Sequence, residues 1–128
     1  MAIKSHWITH KNKRIYFMDG SGLGANFELA KNEIDATASA VSTEPEKSVL
    51  ILFDVNNTVV TSQSLTYLKE ALKLSSKHVK KVASIGVKGA KKIIMSMIIR
   101  VFNLNVEPFD NLEQAKDWLV EGNVTENS

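Results

Sequence analysis

Polar side chains follow directly after the most apolar stretch of the chain, Val49–Phe53. An unbroken apolar run that ends in turn-forming residues is typical of a strand buried on both faces of an α/β sheet. Functional groups in such sheets gather at the carboxyl ends of the strands. The first candidate site, a strand-end turn that would carry chemistry or a regulatory switch, therefore consists of Asp54, Asn56, Asn57 and Thr58.

This turn resembles the first motif of the haloacid dehalogenase phosphatases, in which a buried strand is followed by Asp-x-Asp-x-Thr. In that family the first Asp is the nucleophile and the second is the general acid/base. The second position here is Asn56, and an amide cannot transfer a proton in that role. No acidic residue stands between Glu70 and Glu107 to hold Mg²⁺. We therefore expect no phosphatase chemistry, no catalytic residue, no metal site and no cofactor, and we interpret the chain as non-enzymatic.

A second candidate site is a glycine-flanked turn over residues 86–92. Such a turn at the start of a helix presents free backbone N–H groups, and nearby lysines add positive charge, so it can bind a phosphate or a carboxylate. The spacing does not match a Walker motif. The alternative is a solvated turn without a ligand. The predicted anion-binding residues are Gly86, Lys88, Gly89, Lys91 and Lys92.

A glycine-rich stretch, Gly20–Gly24, looks like part of a dinucleotide-binding fingerprint. That signature requires a first parallel strand before the glycines and an acidic residue about twenty positions further on. The strand that precedes Gly20 belongs to a predicted hairpin. We interpret this stretch as a flexible turn from a strand to a helix.

The predicted third helix, residues 90–102, is apolar nearly all round. Within Ile93–Phe102 only Ser96 and Arg100 are polar, so the helix must bury more than one face. It is too short to span a bilayer. It either lies unusually deep in the core or packs against a second subunit or another protein. The candidate interface consists of Ile94, Met97, Ile98 and Val101.

Composition narrows the classes of protein that remain. The 128-residue chain predicts a single domain, and its lack of cysteine excludes disulfides and thiolate metal sites. The N-terminus has no apolar signal-peptide core, so we expect a cytoplasmic protein.

The charges are distributed unevenly along the chain. The net charge is +2, but the segment Ala71–Val106 contains no acidic residue. This basic region either favours an anionic partner or is a solvated face. We expect no nucleic-acid partner, and a peripheral membrane or lipid contact is not favoured.

Apolar periodicity predicts the element order ββαβαβαβα, which requires parallel strand pairing with an antiparallel hairpin at the start. The first strand is predicted over Ile3–His10, and the strand after the second helix over Val79–Val87. We expect Asn26 to cap the first helix, and Asn111 with Gln114 to form a capping box for the last. Gly122 is predicted to end that last helix, and residues 123–128 to form a flexible tail.

The whole chain resembles the bacterial STAS/SEC14-domain-containing, or SpoIIAA-like, proteins. The segments that carry the resemblance are Ser48–Asn57, His78–Gly89, Lys91–Ile93, Val106–Asp110 and Glu113–Leu119. The resemblance implies a single mixed β-sheet with helices packed on it, over residues 1–122. It also implies a domain that regulates by binding another protein.

In the better-known relatives, the anti-sigma-factor antagonists, a phosphorylatable Ser lies in an Asp-Ser-Ser-Gly-like turn after the central strand. The equivalent turn here is Asn56-Asn57-Thr58, and no Ser-Gly follows it. Asp19–Leu23 resembles the phosphorylation motif in letters but follows a different strand, so we interpret that match as a coincidence.

The sequence thus predicts a non-enzymatic STAS-like regulatory or protein-interaction domain with a protein partner or a homodimer. The alternative is a module that binds a small ligand, an anion or a lipid through the 86–92 turn and the adjacent apolar helix.

Overall fold

The computed structural model describes residues 2–125, and the side chains of residues 2–121. The elements follow the predicted order, with a short 3-10 turn, Ser76–His78, before the fourth strand. They are β1 His6–His10, β2 Lys13–Asp19, α1 Phe27–Ser42, β3 Val49–Asp54, α2 Ser62–Ser75, β4 Val79–Ile85, α3 Ala90–Phe102, β5 Val106–Phe109 and α4 Leu112–Thr125.

One five-stranded sheet runs in the order β1-β2-β3-β4-β5, so every strand pairs with its neighbour in the chain. The first pair is an antiparallel hairpin in which His10 lies opposite Lys13. Lys11 and Asn12, with φ of 51° and 65°, form its two-residue turn, as the twist of a hairpin favours. The other three pairs are parallel. The predicted fold class, a mixed α/β sheet with packed helices, is confirmed.

The helices divide unequally between the two faces of the sheet. Successive parallel strands added in one direction with right-handed crossovers place all their connecting helices on the same face. Ile34 of α1, Leu68 of α2 and Ile98 of α3 accordingly line one apolar cleft on that face. The opposite face is covered by α4, which contacts all five strands.

The central strand β3 is buried on both faces, as its apolar run predicted. Leu50 and Leu52 point to the α4 side and pack with Ala115 and Leu119. Val49 and Ile51 point to the other side, with the core beneath α1 and α2. The two-residue period of a strand sends alternate side chains to opposite layers, so one strand supplies both halves of the core.

Three predicted boundaries are wrong. Gly122 does not end α4, which continues to Thr125; residues 123–125 therefore belong to the helix rather than to the predicted tail, and residues 126–128 lie outside the described residues. The first strand begins at His6 rather than at Ile3, and β4 ends at Ile85 rather than at Val87. Asn26 and Asn111 do act as caps, since their Oδ1 atoms accept bonds from Leu29 N and Gln114 N.

Candidate functional site

Three loops meet where β2, β3 and β4 end, because parallel strands present their carboxyl ends at the same side of a sheet. We call this surface the carboxyl edge and define it as residues 20–26, 55–61 and 86–89. Two of the sequence-predicted sites, the Asp54–Thr58 turn and the start of the 86–92 turn, therefore lie next to each other. The glycine-rich stretch Gly20–Gly24 lies at the same edge of the sheet, after β2.

The first two loops are held together by backbone hydrogen bonds. Gly22 N donates to Asn56 O at 2.8 Å, and Gly24 N donates to Asn57 O at 3.1 Å. In return Val59 N donates to Gly24 O at 2.8 Å. The two loops thus extend the parallel pairing of their strands by one short step beyond the sheet. The stretch that contains Ser21 follows a different strand from Asn57, as expected, yet it lies directly beside that turn.

The Thr58 hydroxyl is the side-chain link between these loops. Its oxygen accepts a hydrogen bond from Leu23 N at 3.0 Å and donates one to Gly20 O at 2.5 Å. A hydroxyl can do both because it carries one donor and two acceptor sites. The sequence indicated Thr58 as a turn residue, but this role across the two loops has no local signal in the sequence.

Asp54 and Asn56 use their polar groups within the turn itself. Asp54 Oδ1 accepts from Asn56 N at 2.9 Å and from Asn56 Nδ2 at 3.0 Å, the arrangement by which an Asp side chain closes a turn. Asn57 follows with a φ of 57°, a conformation that Asn tolerates better than most residues. The turn is therefore closed by its own hydrogen bonds, and Asn56 and Asn57 are exposed.

The 86–92 turn packs against the Asp54–Thr58 turn. A Cβ atom on Gly86 would lie 2.8 Å from Asn56 N, so only glycine allows this close approach. Lys91 Nζ donates to Val55 O at 2.6 Å and lies 3.5 Å from Gly86 O. Lys91 thus binds carbonyl groups of the carboxyl edge, whereas Lys88 and Lys92 are exposed.

The anion-binding role of this turn stays a prediction. Two of its backbone N–H groups already have partners, because Lys91 N donates to Lys88 O and Lys92 N donates to Gly89 O. The exposed ammonium groups of Lys88 and Lys92 remain the groups best placed for an anion.

A buried carboxylate beside the first loop was not predicted from the sequence. Glu33 of α1 is 4% exposed. Its oxygens accept hydrogen bonds from Lys4 N and Ser5 N, both at 3.0 Å, and from Ser5 Oγ at 2.6 Å. Ser5 Oγ in turn accepts from Asp19 N at 3.0 Å. Glu33 therefore ties the segment before β1 to α1 and to the end of β2.

Asp19, at the end of β2, has a lowered pKa. Burial raises the pKa of this carboxyl, but hydrogen bonds from Ser21 and the nearby Lys4 ammonium outweigh that effect. Ser21 Oγ donates to Asp19 Oδ1 at 2.6 Å, and Lys4 Nζ lies 3.5 Å from the same oxygen. Asp19 is consequently an acceptor that fixes the first loop rather than a proton carrier near neutral pH.

The candidate interface on α3 is only partly at the surface. Ile98 is 5% exposed and lies in the apolar cleft between the helices and the sheet. The prediction of Ile98 as an interface residue is therefore wrong, because the chain itself covers this side chain. Ile94 and Met97 are half-buried, and Val101 is 63% exposed. The sequence prediction missed Ile93, which is 75% exposed.

The cleft beneath α3 is lined almost entirely by apolar side chains and has a volume of about 80 Å³. Met95 and Ile98 of α3 close it on one side, and Phe53 and Val82 of the sheet form its floor. A concave, mainly apolar surface of this kind is typical of small-ligand sites. Among the residues that the structure describes, no helix is long and apolar enough to cross a membrane, and no group of acidic, His or Cys side chains is placed to hold a metal ion.

The sheet order, the helices divided three to one between its faces and the glycine-containing turns at the carboxyl edge define a STAS-like domain. A family model described as SpoIIAA-like matches residues 23–120. The chain therefore belongs to the SpoIIAA-like family, whose domains are generally regulatory and act through protein interactions. Neither the curated proteins nor the solved structures provide a match.

Proposed function

We propose that this domain is a non-enzymatic regulator that binds a protein partner through its carboxyl edge. The observation that carries the proposal is the joining of two loops by the Thr58 hydroxyl and by reciprocal backbone bonds. Loops fixed in this way form a preorganised surface, and preorganisation lowers the entropy lost on binding.

The chemistry of the edge supports binding rather than catalysis. Asp54 accepts hydrogen bonds only from its own turn in the described structure, and the neighbouring position holds Asn56 in place of a second acid. Val59, by contrast, is 60% exposed at the same edge. Val59 directly follows the polar Asp54–Thr58 turn in the chain, so an apolar side chain stands beside polar ones, as at the centre and rim of a protein interface.

Val59→Arg is expected to abolish binding of the partner. The full chain is used as bait in an extract of the cells that produce it, and the retained protein is identified, purified and titrated against the domain. We expect a loss of affinity of about a hundredfold, since a charge at the centre of an interface is left desolvated. The matched control is Leu74→Arg, on a side chain that is 78% exposed near the end of α2, where the chain leads into the amino end of β4.

If Val59→Arg and the wild-type domain bind the partner with equal affinity, the partner binds at a surface other than the carboxyl edge. The non-enzymatic part of the proposal would be contradicted if the wild-type domain hydrolysed a generic phosphate ester in the presence of Mg²⁺ and Asp54→Asn did not.

A second candidate function is the binding of a small apolar ligand in the cleft beneath α3. The apolar lining of this 80 Å³ cleft supports it, since small-molecule sites are concave and lined mainly by apolar side chains. Decanoate is expected to raise the melting temperature of the wild-type domain, and Ile98→Phe, which fills the cleft, to remove that increase. A melting temperature that decanoate leaves unchanged would argue against this function.

A further inference from the structure

The outward side of α3 carries an apolar row. Residues four positions apart lie one above another on a helix, and Ile93, Met97 and Val101 form such a row. Ile93 and Val101 are 75% and 63% exposed, and Met97 is half-buried. The inward side of the same helix is also apolar, because Met95 and Ile98 line the cleft. The core of the domain therefore leaves the outward row uncovered.

A basic row runs beside the apolar one. It consists of residues at the same four-residue spacing, Lys92, Ser96 and Arg100, of which the first and last are basic. All three are exposed. Within the described part of the chain, neither Lys92 nor Arg100 forms an ion pair. Lys88, just before the helix, is exposed as well. The outward side of α3 thus combines apolar and cationic side chains along its full length.

The surroundings of α3 have the same character. The chain from Ala71 to Val106 contains no acidic residue, so this segment supplies no negative charge to balance the basic row. A surface of this composition is complementary to a partner that is anionic outside and apolar beneath.

We propose that α3 docks the domain on an anionic lipid bilayer, lying in the plane of the membrane surface. A helix with an apolar row and a basic row inserts the first below the headgroups and sets the second against lipid phosphates. A helix of 13 residues is about 20 Å long, which suits a position on the membrane rather than across it. Three apolar side chains are also few for a protein interface of standard size, which buries about 800 Å² per partner.

Vesicle flotation of the full chain tests this proposal independently of any partner at the carboxyl edge. The wild-type protein should float with vesicles of phosphatidylcholine and phosphatidylglycerol but not with vesicles of phosphatidylcholine alone. Ile93→Gln/Val101→Gln and Lys92→Gln/Arg100→Gln should each lower the partition coefficient by on the order of tenfold or more. Added salt should weaken wild-type binding because it screens the headgroup charge.

Two controls separate α3 from the rest of the surface. Leu112→Gln changes an exposed leucine on α4, and Lys13→Gln/Lys47→Gln removes two exposed lysines outside the acid-free segment; both should bind like the wild-type protein. Circular dichroism melting confirms that each variant is folded.

Several results would overturn the proposal. They are failure of the wild-type protein to bind vesicles that contain phosphatidylglycerol, equal binding to both kinds of vesicle, and unchanged binding of the α3 variants. If the wild-type protein does not bind vesicles, and light scattering shows a dimer that Ile93→Gln/Val101→Gln dissociates, this face binds a second copy of the chain instead.

Discussion

Gly86→Ala is expected to destabilise the domain by about 3 kcal/mol, through strain at a left-handed backbone position together with steric overlap. Gly86 has a φ of +84°, and a Cβ atom there would lie 2.7 Å from Asn56 Oδ1 and 2.8 Å from Asn56 N. The side chain of Asn56 is able to rotate away, but its backbone nitrogen is not. The loop that follows β3 must therefore move away from β4, and chemical denaturation of the purified domain measures the loss.

Gly24→Ala is the matched control for this prediction. Gly24 lies at the same edge with a φ of +57°, but a Cβ atom added there would meet nothing within 4 Å beyond its own chain neighbours. We expect a loss of about 1 kcal/mol, from backbone strain alone. If the two variants lose the same stability, the contact between Gly86 and Asn56 does not hold the loops together.

Glu33→Gln is expected to lower the free energy of unfolding by about 2 to 3 kcal/mol, because a buried carboxylate bonded to several donors loses its charge. Three donors from two residues, Lys4 and Ser5, converge on this carboxylate. The amide group of Gln turns one acceptor into a donor, which then faces another N–H or O–H group. Denaturant titration gives the change in stability.

The segment before β1 provides a second readout for Glu33. Hydrogen exchange at the amide group of Lys4 or of Ser5 should become faster in Glu33→Gln, since the two groups bond to different carboxylate oxygens and the side chain of Gln keeps only one of them. Glu46→Gln, at an exposed position in the loop before β3, should stay within about 0.5 kcal/mol of the wild-type value. Unchanged exchange at Lys4 and Ser5 would show that Glu33 does not hold this segment.

Local patterns were sufficient to predict the fold. The apolar run of β3 ends in turn formers, and the helices have caps that can be recognised from a few neighbouring residues. Parallel order then follows from the alternation of strands and helices. The same reasoning places Thr58 and Gly86 at one edge of the sheet, because both follow parallel strands. The approximate position of the candidate site was therefore predictable.

The contacts within the site were not predictable, because they join residues far apart in the chain. Thr58 bonds to Leu23, 35 positions earlier, and Glu33 bonds to Ser5, 28 positions earlier. No periodicity or spacing marks such pairs. The end of α4 was missed for a different reason, since the glycine at position 122 lies inside the helix and a helix tolerates such a residue at a cost of about 1 kcal/mol.

The orientation of α3 shows a third kind of difficulty. A helix that alternates polar and apolar faces reveals which side is buried, but α3 is apolar nearly all round. Ile98 and Ile93 are therefore equivalent in the sequence, although one is 5% and the other 75% exposed. Only packing against the sheet distinguishes them.

The unequal division of the helices also has a consequence for synthesis on the ribosome. A chain emerges from its N-terminus, and domains complete their cores as the necessary segments appear. In this domain, α1, α2 and α3 emerge between the strands that they cover, whereas the helix that covers the other face of the sheet, α4, is made after all five strands. Until α4 emerges, the apolar side of Ile15, Leu50 and Leu52 stays open to water. The nascent chain therefore passes through a late stage in which a nearly finished sheet exposes one face, and that stage is where it is most exposed to aggregation or to capture by chaperones.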